Sequence, residues 1–384
     1  MNKRFEELDS LRGLAAATVL FAHLAALIPG MYLISKLAKT PMHVLWSGHE
    51  AVILFFILSG FVLSLPYHNQ KAPKYNEYVI KRICRIYIPY ILSILFAVAL
   101  MSLFSNISVP ELKSAFNETW SSPATIELLL NHLIFLGDYN TLSYNPVIWT
   151  LVHEMRISIV FPFVMFFVVK FSLKKNIVFA LSCSVVFFAL WYFFLKVLNF
   201  NSTYFITIHY LGIFILGALL AKYRYILSDL YDRISLLLKL SILLIGILAY
   251  AYSWWFLPSS AYLHLTVLND WIIAIGGSII IIFSIKSTVF KKILIQKPIH
   301  FIGKTSYSLY LFHMTLVLSL MKILHGVIPT GYIVLLALVT SFMLAGITYY
   351  LIEKPSIRLG KSLTSKKKVN LNEIELETVA QQTI

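Results

Sequence analysis

Long apolar runs separated by short polar ones fill this chain almost end to end. Ten runs are long enough to cross a membrane as helices: residues 10–28, 51–67, 86–103, 147–169, 177–195, 204–221, 236–256, 271–285, 306–324 and 332–352. The second is the shortest and needs its flanks to complete a span. The pattern predicts an all-α polytopic membrane protein, a bundle of about ten transmembrane helices. An even number of spans returns the chain to the side on which it started.

The basic residues choose that side. With the N-terminus in the cytoplasm, the inner loops hold Lys71, Lys74, Lys81, Arg82 and Arg85, then Lys170, Lys174 and Lys175. Lys222, Arg224, Arg233 and Lys239 follow, then Lys286, Lys291, Lys292, Lys297 and Lys304, then Lys354, Arg358, Lys361 and the run 366–368. The outer segments hold only Lys36, Lys39, Lys113, Lys196 and Lys322, so both termini are expected inside. The expected organisation is a cytoplasmic N-terminus (1–9), a transmembrane domain (10–353) and a basic tail (354–384). The outer loop, 105–146, is slightly acidic, with Glu111, Glu118, Glu127 and Asp138 against Lys113. Within it, 126–136 sets apolar residues at helical spacing around His132, so this piece either lies at the interface or re-enters the bundle.

Composition then removes several classes of function. The chain is 59% hydrophobic and 13% charged, with a mean hydropathy of +0.80, whereas a soluble domain is about a quarter charged. The net charge of +15 is spread through short interhelical runs and is not gathered on one soluble face, so nucleic acid is not an expected partner. Cys84 and Cys183 have neither disulfide-framework nor metal-ligand spacing, and no metal site is expected. The first apolar run carries Arg12 and His23 without a persuasive cleavage site, and is expected to stay as an anchor. No P-loop, H-E-x-x-H, G-x-S-x-G or dinucleotide fingerprint occurs.

The candidate chemistry lies in the charges that remain inside the spans. Asp9 or Ser10 is the expected N-cap of the first helix. Arg12 and His23 are eleven residues apart, which places them within about 20° of one helix face and roughly 16 Å apart along it. One reading is a snorkelling arginine and a packed histidine; the other is a polar face turned to a cavity. Ser59-Gly60 marks a close approach of two helices. His49 and Glu50 fall at the outer mouth, where a solvated rim is the default. Arg82 and Arg85, three apart, are either inside-positive anchors or a clamp for phosphates. Glu154 lies about 10 Å from the outer end of its helix and His23 about 20 Å from the inner end of its own, so the two are expected to meet. The alternative for Glu154 is a charge-neutralising pair with Arg156 or a lysine. His313 either lines a path or bonds a neighbouring carbonyl, and Glu353-Lys354-Pro355 is expected to end the last helix.

Taken in order, LDSLRGLAAATVLFAHL, LFFILSGFVLS, RICRIYIPY, WTLVHEMRISIVFP, GKTSYSLYLFH and IEKP make the chain resemble acyltransferase family 3. These integral-membrane enzymes acylate sugars of surface polysaccharides, lipopolysaccharide and peptidoglycan. The resemblance implies a multi-pass protein of the bacterial cytoplasmic membrane that moves an acyl group, most simply acetyl, from cytosolic acyl-coenzyme A to a glycan or glycolipid hydroxyl. It implies His23 as the catalytic histidine with Arg12 as its motif partner, Glu154 as an essential acid, and Arg82 and Arg85 facing the donor's phosphates. Acetyl-coenzyme A enters as substrate, with no permanently bound cofactor.

Two departures stand beside the resemblance. His49 replaces a commonly apolar or aromatic residue, and no esterase-like domain follows the last helix, so a second transfer step would fall to a separate extracytoplasmic protein. Two mechanisms are open: direct attack of the sugar with His23 as base, or transient acylation of His23 or of a nearby hydroxyl, Ser308 or Tyr307. Ser59 and His313 are candidates for lining the path. The competing reading is a secondary transporter or flippase using the same charges as a relay.

Overall fold

The computed structural model describes residues 5–27, 36–37, 40–104, 107, 109, 114–120, 125–256 and 267–365. Among them there are helices and no strand. Nine helices are long and apolar enough to span: Glu6–Ala26 (α1), Gly48–His68 (α2), Tyr75–Phe104 (α3), Trp149–Lys170 (α5), Leu173–Val197 (α6), Thr203–Lys222 (α7), Val267–Lys286 (α9), Ser306–Leu324 (α11) and Thr330–Thr364 (α12). The short helices Ile126–Ile134 (α4) and Lys297–Lys304 (α10) lie among them. Leu236–Phe256 (α8) is the remaining expected run, apolar over Leu236–Ala251. The protein is thus an all-α polytopic membrane protein, as the apolar pattern predicts.

The boundaries correct the sequence reading in three places and, at α2, bear out its need for flanking residues. Helix α1 starts at Glu6, with Phe5 and neither Asp9 nor Ser10 at its N-cap. Helix α2 begins at Gly48 and has 21 residues, about 31 Å, a full span. Helix α3 begins at Tyr75, eleven residues before the expected start, and carries a π turn at Ile83–Tyr87. Helix α12 does not stop at Glu353-Lys354-Pro355; it widens into a π turn at Tyr349–Glu353 and runs on to Thr364. Pro355 falls in the first turn after the π segment, where a missing N–H costs little.

In the outer loop, Thr125 caps α4 by accepting the Leu128 N–H at 3.2 Å, and Phe135 ends it in the left-handed region at φ 64°. The helix docks on α3: Tyr90 Oη donates to the His132 carbonyl at 3.1 Å, and His132 is fully buried. The loop then dips inward, where Asn145 Nδ2 donates to the Leu311 carbonyl at 2.8 Å. Lys39, Glu111, Lys113 and the tail from Lys366 lie outside the described residues.

Helices α1, α2, α5, α7, α9 and α11 are mostly buried, whereas α6 and α12 turn mostly apolar side chains outward. Without a hydrophobic drive between helices in lipid, close packing must hold them, and small residues permit it. The Ser59-Gly60 expectation is met: a Cβ on Gly60 would sit 2.0 Å from the Phe214 carbonyl oxygen, and one on Gly217 would sit 2.1 Å from that of Ile57. Gly60→Val is therefore expected to remove most folded protein from the membrane. Gly331→Ala, with nothing within 4 Å of its Cβ, should leave the level and melting temperature unchanged. Equal levels of the two variants would contradict this account of the α2–α7 crossing.

Candidate functional site

A cavity of about 670 Å³, counting its open mouth, lies between α1, α2, α3, α5 and the start of α11. Arg12, Arg82, Arg85 and Glu154 line it with Ser59, Thr150, Tyr307 and Tyr310 and an apolar wall that includes Val52 and Phe55. Its ionisable lining is three guanidinium groups and one carboxylate, a surplus of two positive charges. Bare cations gathered in a membrane interior are costly unless an anion or a polar path meets them.

The polar side chains form one chain of contacts. Arg12 Nη2 donates to Ser59 Oγ at 3.4 Å, and Ser59 Oγ donates to Glu154 Oε1 at 3.3 Å. Arg82 Nη2 donates to the same carboxylate oxygen at 2.8 Å and to Ser158 Oγ at 2.8 Å. Arg82 Nε is buried with no hydrogen-bond partner, a donor left over on the best-held of the three cations. Arg85 is exposed at the mouth.

The π turn explains how Arg82 and Arg85 reach this position. A π turn changes the i→i−4 ladder and re-aims the side chains around it. Here it spans Ile83–Tyr87, starting directly after Arg82 and containing Arg85, and the Ile86 carbonyl accepts from Tyr307 Oη at 2.8 Å. The second π turn ends at Glu353, whose Oε2 accepts from the Ser308 N–H at 3.2 Å and from Ser308 Oγ at 2.7 Å. Two widened turns thus clasp the first residues of α11.

The expected meeting of Glu154 with His23 is not what the described residues show. Glu154 is bound to Arg82 and Ser59. The reason is the depth of α3: Tyr75 Oη donates to the Ile159 carbonyl at 3.4 Å, so α3 begins beside the middle of α5. Arg82 therefore lies well inside the bundle and is no entrance anchor. The pair of Glu154 with Arg156 is also not formed. Arg156 Nε donates to the Leu136 carbonyl at 3.1 Å and Nη1 to Thr203 Oγ1 at 3.1 Å, while Nη2 donates to the Gly137 carbonyl. Its guanidinium lies 3.9 Å over the Tyr204 ring, so this arginine pins the outer loop to α7.

His23 is partly buried and turned inward, with its Nδ1 3.1 Å from His313 Nε2. It does not line the cavity. Between them stands Tyr310, which faces the cavity, packs edge-on at 6.1 Å against the His313 ring and donates from Oη to the Val147 carbonyl. Of the two candidate hydroxyls, Tyr307 lines the cavity, whereas Ser308 is buried behind it on Glu353. Arg12, Ser59, Arg82, Arg85, Glu154 and Tyr307 are thus brought together, and the His23–His313 pair sits one ring away.

A second polar chain was not legible in the sequence. Trp271 Nε1 donates to Ser184 Oγ at 2.9 Å, and Ser184 Oγ lies 2.8 Å from His209 Nδ1. His209 Nε2 and His49 Nε2 then lie 3.0 and 2.6 Å from the two oxygens of the buried Asp270. His49, expected as a solvated rim, is instead the outer end of a network joining α2, α6, α7 and α9. Alternation of polar and apolar residues identifies none of these partners, because they are spread over four helices. Among the described residues no group of His, Cys, Asp or Glu could hold a metal ion.

Comparison with known proteins gives a concordant result. Residues 5–351 match the family model described as an acyltransferase domain, that of acyltransferase family 3. The chain is 26% identical over 374 residues to the O-acetyltransferase OatA of Staphylococcus aureus strains NCTC 8325 and COL, covering 92% of this chain and 57% of theirs. It therefore spans little more than half the length of those relatives. No solved structure matches at a significant level.

Proposed function

The chain belongs to acyltransferase family 3 and is a membrane acyltransferase, and from that premise we propose that its donor is a cytosolic acyl-coenzyme A, most simply acetyl-coenzyme A, and its acceptor a sugar hydroxyl of a surface or exported glycan. The observation that carries this reading is the cavity's charge. Three guanidinium groups against one carboxylate suit a ligand with several negative charges. A coenzyme A molecule would leave its nucleotide at the mouth beside Arg85. Its flexible arm would lie along Arg82 and Arg12, with the thioester towards Tyr310. The distribution of basic residues among the loops supports a mouth on the cytosolic side.

In the direct version of the reaction His23 takes the proton of the sugar hydroxyl, and the oxygen attacks the thioester carbonyl. The C–S bond breaks, and the departing sulfur takes the proton back from the imidazolium. Movement of the Tyr310 ring would bring the thioester and the histidine together. Glu154 acts in this scheme by holding Arg82, and Arg12 through Ser59, in the orientation that receives the donor; it is a positioning residue.

The test is a comparison of ester-linked acyl groups on surface glycans with and without the protein, together with label transfer from acyl-coenzyme A in membrane vesicles. The reading expects loss of a defined sugar ester and label recovered in the glycan. Unchanged esters and no transfer would overturn it. Arg85→Gln should raise the donor KM about tenfold or less with kcat unchanged, because an exposed cation at the mouth contributes weakly; a collapse of kcat would place Arg85 deeper in the reaction.

A further inference from the structure

The two histidines at the closed end of the site constrain each other's protons. His313 is 1% exposed on α11, and its Nδ1 lies 2.9 Å from the Leu309 carbonyl, one helical turn back. A carbonyl only accepts, so this nitrogen carries the hydrogen. The neutral imidazole then offers its other nitrogen, Nε2, as an acceptor. That atom is the one 3.1 Å from His23 Nδ1. His313 Nε2 therefore asks His23 Nδ1 for a donor.

We infer that His313 is a positioning residue for the acyl-transfer base: it holds His23 in the tautomer with its proton on Nδ1, leaving the Nε2 lone pair as the atom that receives the proton of the attacking hydroxyl. The inference rests on the proposed role of His23 as base. The tautomer of a histidine is set by the bond its other nitrogen makes, and here that bond runs to a second imidazole. When the sugar oxygen attacks the thioester, the hydroxyl proton moves to His23 Nε2 and the ring becomes cationic. Its Nδ1–H then strengthens its bond to His313 Nε2. Collapse of the adduct breaks the C–S bond, and the sulfur leaves with the proton held on His23 Nε2. His313 ends the cycle as it began, with its Nδ1–H still on Leu309. Being neutral, it orients the base and stabilises the imidazolium less than a carboxylate would, so its effect should fall well short of the about 10⁴-fold loss seen when a charged orienting partner is altered.

Four variants and one spectrum test this. In His313→Leu the acceptor is gone, and kcat should fall at least about tenfold with the donor KM unchanged, because the donor pocket lies on the other side of Tyr310. In His313→Gln the amide oxygen can stand where Nε2 stood, and most of the activity should return. Equal losses in the two variants would overturn the inference. Should the leucine variant fail to fold, the tautomer itself still decides. Nitrogen NMR of the folded wild type, labelled in histidine and assigned with His23→Gln, should show His23 protonated at Nδ1 and bare at Nε2. The opposite tautomer would remove the role assigned to His313. Full activity in His23→Ala would overturn the base assignment, and the spectrum would separately show whether the two rings are paired as described.

Discussion

His23→Ala is expected to lower acyl transfer by a factor of about 10² to 10⁴, the range contributed by a positioned general base, while the protein still inserts and folds. His23 is partly buried, and its bond to His313 is the side-chain contact that the substitution removes. Losing it leaves His313 Nε2 without a partner, a cost of about 1–3 kcal/mol, which a bundle held by the α2–α7 crossing should tolerate. Donor binding should be nearly unchanged, because the cavity is lined by other residues. The measurement is label transfer from acyl-coenzyme A beside a melting curve and a binding titration. Retained transfer would take His23 out of the chemistry; lost binding would mean that the cavity and the histidine form one site.

The second large effect belongs to Arg82. Its bond to Glu154 joins side chains that are 12% and 20% exposed. Breaking such a buried pair by removing one partner costs about 3–5 kcal/mol, because the other charge is left uncompensated. Arg82→Gln should therefore lower the melting temperature and weaken donor binding by roughly 30-fold or more. The double variant Arg82→Gln/Glu154→Gln separates the two effects. Removing both charges should restore much of the stability without restoring donor binding, since the anion's principal partner remains absent. Recovery of binding along with stability would show that Arg82 serves only the fold.

These outcomes indicate which parts of the protein could be read from residue order. The apolar runs give ten expected spans, and nine helices among the described residues meet the length and hydropathy of a span, with α8 as the remaining run. Arg12 does turn to a polar cavity, with His23 one ring behind it, and Ser59-Gly60 does mark a close crossing. Each of these follows from a single helix period or from the size of one residue. What failed required the relative depth of two helices. Counting residues from the ends of spans pairs Glu154 with His23, but α3 begins eleven residues early and carries Arg82 inward to claim the carboxylate. The π turns at 83–87 and 349–353 have no composition signal, yet they set the aim of Arg82 and the grip of Glu353 on Ser308. The network through His49, Asp270, His209 and Ser184 was equally hidden, because its four members come from four helices.

An anionic acyl donor is expected to occupy the arginine-lined cavity. Titration of the purified protein in lipid nanodiscs with acetyl-coenzyme A tests this most directly, read calorimetrically for wild type and for Arg12→Gln/Arg82→Gln at two salt concentrations. Saturable binding that weakens with salt in the wild type and is lost in the double variant is the predicted result. No binding by the folded wild type, or the same affinity in both proteins, would contradict it.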